Sequence, residues 1–221
     1  MARVKILQDV LKASQAVADQ VHSLLREKRV FMVNIMGSPG SGKTALLERT
    51  LPLFSDLRVG LVEGDIRTTM DAQRLSGFDL QIVQINTEPF GGDCHLPPNL
   101  VASALQEMDL EGLDLIFVEN VGNLVCPAEF DIGEDLKVVV LSLPEGEDKP
   151  LKYPLMFRVS QACVVNKIDL QPYLGVDAEV VKNNVLSVNP AMSVFPVSAR
   201  TGEGVEAWCR WLKERMGRIK G

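Results

Sequence analysis

Gly37-Ser38-Pro39-Gly40-Ser41-Gly42-Lys43-Thr44 carries glycines, a lysine and a hydroxyl at the spacing G-x-x-x-x-G-K-S/T. Glycines let successive backbone N–H groups turn inward onto phosphate oxygens, and a helix beginning there adds a favourable partial charge. Lys43 would reach the terminal phosphates, and the Thr44 hydroxyl would ligate Mg²⁺. All eight residues are candidate nucleotide contacts, and Lys43 and Thr44 are candidate catalytic groups. A Gly/Ser turn would share this composition. Here the stretch follows the apolar run Val30–Met36, which predicts a buried strand, and precedes Ala45–Leu51, which predicts a helix. That context reads as a nucleoside triphosphate site.

Asn166-Lys167-Ile168-Asp169 names the base. In an N-K-x-D element the Asp carboxylate accepts from the N1–H and exocyclic amine of guanine, and adenine offers neither donor there. A site built on such pairing rejects the analogue lacking it by about 10⁴-fold or more. Lys167 would lie along the base, Asn166 would brace the loop, and backbone N–H groups of Ser198 and Ala199 would meet the guanine carbonyl. Alone, the four-residue pattern also fits an ordinary strand-end turn. Placed after a P-loop and before Ser198-Ala199-Arg200, it reads as a GTP site.

Ligands of open α/β sheets bind outside the carboxyl ends of the strands, so acids there are the next to weigh. Asp65 is a candidate for Mg²⁺ or its shell of water, Asp71 for orienting the attacking water, and Glu119 for the Walker B position. A solvated strand end or a helix cap accounts for the same acids. Cys94-His95 and Cys126 also follow strand-like runs, and thiolate with imidazole suits Ni²⁺ or Zn²⁺. Adjacent Cys-His is poor zinc spacing, and a buried Cys beside a loop His gives the same pattern with no metal. Three ligands would leave a tetrahedral site to be completed by water or a second subunit.

The elements that must position these residues follow from periodicity. Strands are expected at Leu57–Val62, Leu80–Ile85, Leu113–Val118, Lys137–Leu143, Ala162–Asn166 and Ser193–Val197. Helices are expected at Lys43–Leu53, Thr68–Ser76, Pro98–Met108, Val176–Val188 and Val205–Gly217, with Glu145–Pro154 a charged loop. Alternation of this kind predicts a mostly parallel twisted sheet with helices on both faces. Residues 4–25 repeat apolar positions at three- and four-residue steps, predicting an amphipathic helix before the first strand, packed on the sheet or on a partner. The 221 residues suit one α/β P-loop GTPase domain spanning the whole chain. A net charge of −6 opposes a broad nucleic-acid surface. No apolar run approaches the ~20 residues that span a bilayer, and Met1–Lys12 alternates charge with apolar residues, unlike a signal peptide. The expectation is a cytoplasmic protein with no nucleic-acid or membrane partner, whose four Cys are thiols, ligands or core residues.

Taken together, G-S-P-G-S-G-K-T, V-E-G-D-I, Cys94-His95-Leu96, V-E-N-V-G-N-L-V-C-P-A-E-F-D, P-E-G-E-D-K-P-L-K-Y-P, N-K-I-D-L and S-A-R-T-G-E-G resemble the HypB family of hydrogenase maturation GTPases over nearly the whole chain. The resemblance implies a nickel-delivery GTPase for nickel–iron hydrogenase assembly. It further implies a Ni²⁺ or Zn²⁺ site at Cys94, His95 and Cys126, a homodimer on GTP binding, and partnership with hydrogenase maturation proteins and the hydrogenase large subunit precursor. The chain departs from the family where Pro97-Pro98 follows Cys-His-Leu. Its first ninety residues also hold no Cys and only His22, so no nickel-storage tract is present there. Two other readings stand beside this one. A nickel chaperone of the urease accessory type would carry Cys-Pro-His, and a regulatory GTP switch would keep its cysteines purely structural.

Overall fold

The computed structural model describes residues 2–65, 74–87 and 94–220. Its strands are β1 (Phe31–Gly37), β2 (Val59–Asp65), β3 (Gln81–Asn86), β4 (Leu115–Glu119), β5 (Leu136–Ser142), β6 (Ala162–Asn166) and β7 (Ser193–Pro196). They form one sheet in the order β3-β2-β4-β1-β5-β6-β7, and every pairing is parallel. Parallel neighbours need crossovers, and among the described residues helices lie on both faces of the sheet. Burial on both sides explains why β1, β4, β5 and β6 read as near-continuous apolar runs rather than alternating ones.

The helices are α1 (Ala2–Lys28), α2 (Lys43–Thr50), α3 (Pro98–Gln106), α4 (Cys126–Glu129), α5 (Lys149–Lys152), α6 (Pro154–Val159), α7 (Ala178–Val188) and α8 (Val205–Lys220). On one face, Leu46 and Leu47 of α2 and Trp208 and Leu212 of α8 pack on Phe31, Val33 and Ile35 of β1. On the other, Val21 and Leu25 of α1 and Val101 and Leu105 of α3 cover Met32, Ile116 and Val118. Met156 and Phe157 of α6 and Val181 and Val185 of α7 cover Val139, Leu141, Cys163 and Val165. The described half of α1 thus lies on the sheet, with Ala18, Val21 and Leu25 buried. Among the described residues, no helix is long and apolar enough to cross a membrane.

Two expectations differ from what forms, and a third is untested. The strand expected at Leu57–Val62 begins later, because Leu57 N–H donates to Phe54 O (2.9 Å) and closes a turn. Glu145–Pro154 is not a plain loop. Ser142 and Glu145 form a capping box around a 3₁₀ turn, and Pro150 and Pro154 sit in the first turns of α5 and α6, where a missing N–H costs nothing. The helix expected at Thr68–Ser76 falls mainly outside the described residues.

Candidate functional site

β1 ends at Gly37, at the point where the sheet order turns from β4 on one side to β5 on the other. Such a switch point opens a crevice at the strand ends. The chain turns through Gly40 (φ +73°) and Gly42 (φ +93°) before entering α2. Both lie in the left-handed region that favours glycine. Lys43 and Thr44 are buried at the head of α2. Thr44 Oγ1 donates to Glu119 Oε1 at 2.8 Å, which ties the P-loop to the end of β4.

Glu119 has a neighbour that sequence reasoning passed over. Parallel pairing of β2 and β4 sets Glu63 level with Glu119, so both side chains project from the same face of the sheet. Both are buried. A matching Val-Glu pair in each strand, Val62-Glu63 and Val118-Glu119, was the available signal. Two level carboxylates beside a threonine hydroxyl form an all-oxygen donor set, the kind that suits a hard divalent cation. Asp65 closes β2, while its side chain and the whole of Asp71 lie outside the described residues.

The base loops converge on a cleft of about 560 Å³ whose lining includes Gly42, Arg49, Asn166, Lys167, Asp169 and Ala199. Asn166 is buried and braces three segments at once. Its Nδ2 donates to Ser41 O (3.0 Å), and its Oδ1 accepts from Lys167 N–H (2.8 Å) and Ala199 N–H (3.1 Å). The Ala199 amide, expected on the guanine carbonyl, is thus held by Asn166. Lys167 adopts φ +63° and extends its Nζ to Gly40 O at 2.6 Å. Ser198 Oγ donates to Asp169 Oδ1 at 2.6 Å, fixing the carboxylate expected to read guanine. Arg49 of α2 donates to the carbonyls of Ala199 and Arg200 (2.8 and 2.7 Å). That long-range clamp left no trace in the sequence.

Cys94, His95 and Cys126 come together: one ligand atom from each lies within 4.8 Å of the others, with Cys94 Sγ 3.9 Å from His95 Nδ1. Cys126 opens α4 with Pro127 behind it. His95 stacks on Phe130, ring centroids 4.5 Å apart and planes 9° from parallel, so the C-P-A-E-F-D segment supplies both a thiol and the surface that orients the imidazole. The segment between Glu119 and Cys126 rests on the P-loop. Asn123 N–H donates to Gly37 O (2.9 Å), and a methyl on Gly122 would come within 2.8 Å of Pro39 N. The other cysteines are core residues: burial pushes the Cys163 thiol far up and the Cys209 thiol up to about 11. Protonated and enclosed, they are poor ligands.

The chain matches the CobW/HypB/UreG nucleotide-binding domain family over residues 31–196. It is 44% identical over 216 residues to hydrogenase maturation factor HypB of Rhizobium leguminosarum bv. viciae, covering 97% of this chain and 71% of that protein. Two solved structures superpose with a TM-score of 0.86. One is hydrogenase maturation factor HypB of Archaeoglobus fulgidus, at 35% identity over 93% of this chain and all of the other. The second is HypB of Helicobacter pylori in complex with nickel, at 33% identity over 93% and 96%. Family match, sequence identity and superposition agree, and the chain belongs to the HypB family of P-loop GTPases.

Proposed function

We propose that this protein is a cytoplasmic metallochaperone that hydrolyses GTP and delivers nickel during maturation of a nickel–iron hydrogenase. Nickel is the cargo, held by the Cys94 and Cys126 thiolates and the His95 imidazole. The single observation that carries the reading is the meeting of those three ligand atoms within 4.8 Å, beside the strand ends where the P-loop opens. Zinc accepts the same donors and would compete for them.

Hydrolysis rests on positioning and charge. The P-loop amides and Lys43 surround the β- and γ-phosphates and stabilise charge that develops as the γ-phosphoryl group leaves. Thr44 Oγ1 and Glu119, with Glu63 level beside it, are the oxygens that would hold Mg²⁺, whose charge would neutralise the β- and γ-oxygens. Asp169 selects guanine, and Asn166 keeps the base loop seated on the P-loop. Asp65 and Asp71 complete the set of acids for metal water and attacking water. A homodimer formed on GTP binding would finish the incomplete metal shell. Hydrogenase maturation proteins and the hydrogenase large subunit precursor are the proposed recipients.

Equilibrium titration of Ni²⁺ and Zn²⁺ into the wild type and Cys94→Ala, with GDP and with a non-hydrolysable GTP analogue, tests this, paired with sizing. Cys94→Ala should lose tight nickel binding while keeping nucleotide. Equal nickel affinity in the two proteins would remove the cargo site.

A further inference from the structure

We infer that Asn120 is the positioning residue through which the nucleotide site sets the geometry of the Cys94–His95 limb of the metal site; this rests on the reading of Cys94, His95 and Cys126 as the cargo site. Asn120 is the first residue beyond β4, directly after Glu119, and its own N–H still donates to Ile35 O of β1 at 2.9 Å. It is therefore registered to the P-loop strand as firmly as the strand itself. Its side chain is 1% exposed, and a buried amide must find protein partners.

Those partners point one way. Asn120 Oδ1 accepts from Leu96 N–H (3.1 Å) and Val121 N–H (3.0 Å), while Nδ2 donates to Asn34 Oδ1 (3.1 Å). Rotating the amide by half a turn would set its NH₂ against two backbone donors, so only one orientation is compatible with its surroundings. Asn34 is held in turn, with its Nδ2 on Glu134 Oε1 at 3.0 Å.

The Leu96 bond has particular leverage. Leu96 N–H and the carbonyl of His95 belong to one planar peptide unit, so Asn120 holds the peptide plane of the imidazole ligand itself. The Leu96 side chain is fully buried against β2, where a methyl on Gly64 would approach Leu96 Cδ1 to 2.7 Å. The limb thus has two anchors, one on β2 and one on β4. A path runs from the Thr44 hydroxyl to the Glu119 carboxylate, then through the Asn120 amide to the His95–Leu96 peptide. When the hydroxyl and carboxylate rearrange around Mg²⁺ and the γ-phosphate, Asn120 either carries the limb with it or releases Leu96. Either outcome moves Cys94 and His95 relative to Cys126.

The test compares Ni²⁺ dissociation constants, read by competition with a chromophoric chelator, in the GDP state and with a non-hydrolysable GTP analogue. Their ratio measures coupling, typically about 5–150-fold in coupled proteins. Asn120→Ala should bring the ratio to within about twofold of one, with nucleotide affinity within about threefold of wild type. Asn120→Asp retains an acceptor for Leu96 N–H and should retain the ratio. Asn34→Ala disturbs the same buried network without touching Leu96 and should retain it too. Where Asn120→Ala does not fold, Asn120→Ser, one bond too short to reach Leu96, carries the same expectation. A wild-type ratio of one, an unchanged ratio in Asn120→Ala, or an equal loss in Asn34→Ala would overturn the inference. Cys94→Ala separates the two possible failures. Nickel bound as tightly as by wild type would remove the cargo site and this inference with it. Binding lost in Cys94→Ala with the ratio intact in Asn120→Ala would remove only the role of Asn120.

Discussion

Gly42→Ala should be far more damaging to nucleotide binding than Gly40→Ala, although both glycines are in the same loop. Each has positive φ, +93° and +73°, and an L side chain in the left-handed region costs about 1–2 kcal/mol. At Gly40 that is the whole penalty, because a methyl there meets nothing within 4 Å. At Gly42 the methyl would lie 2.4 Å from Asn166 Nδ2, against an ordinary contact of 3.4 Å or more. Asn166 must then retreat by about 1 Å, which breaks its 3.0 Å bond to Ser41 O and loosens its hold on Ala199. A buried hydrogen bond broken in this way costs about 1–3 kcal/mol. Gly42→Ala therefore carries about 2–5 kcal/mol in total, and the part by which it exceeds Gly40→Ala, about 1–3 kcal/mol, corresponds to about 5–150-fold in affinity. Titration with a fluorescent GDP analogue measures both variants. The Asn166→Ala background completes a double-mutant cycle: with the amide gone, Gly42→Ala should cost no more than Gly40→Ala does. Two results would refute the reasoning. One is Gly42→Ala and Gly40→Ala agreeing within threefold, and the other is an undiminished Gly42 penalty in the Asn166→Ala background.

Asp169→Asn presents an amide to the guanine donors, so GTP affinity should fall by tenfold or more, roughly one lost charge-assisted hydrogen bond, and xanthosine triphosphate should gain; unchanged GTP binding in a competition assay removes Asp169 as the base reader. Iodoacetamide on the native protein should alkylate Cys94 and Cys126, which are exposed and half-buried, well before Cys163 and Cys209, which are buried; peptide mapping checks the order, and early labelling of Cys163 would contradict the core assignment. Asp135 is pushed above its ordinary value mainly by burial, against the Met32 N–H bond and the charges of His22 and Arg26. The folded state then holds that proton to higher pH than the unfolded chain, so stability falls as pH rises through the interval and the cost is complete above it. Asp135→Asn, which can still accept from Met32 N–H, should be more stable than wild type at pH 7, with the advantage fading below the ordinary carboxylate range of about pH 4; urea midpoints across pH that show no gain at pH 7 would rule this out.

What could be read from the sequence was chemistry whose parts are neighbours along the chain. The P-loop and Asn166–Asp169 each concentrate their donors within eight residues or fewer, and the strands that present them are apolar enough to recognise. The Cys94, His95 and Cys126 set spans a gap of thirty residues, and only the placement of both limbs at strand ends, together with family resemblance, brought it into view. Glu63 was hidden because register between β2 and β4 cannot be read from either strand alone. Arg49, Asn120 and Phe130 act through contacts made across the fold, where residue type alone suggests a solvated helix face, a strand end and an ordinary core ring. The helical turns around Pro150 and Pro154 were missed because proline signals an interruption equally well as a first turn.

The stacking of His95 on Phe130 gives the protein a built-in spectroscopic reporter. An imidazole 4.5 Å above a nearly parallel benzene ring sits in that ring's shielding cone, so its carbon-bound protons resonate upfield of an ordinary histidine. The chain has two histidines, and His22 lies away on α1, so the two sets of signals separate without isotopic labelling at single sites. Cargo capture at the imidazole, tilting of the ring and withdrawal of Phe130 each displace that one resonance in a distinct way, and the site can be followed through a nucleotide cycle with no probe attached.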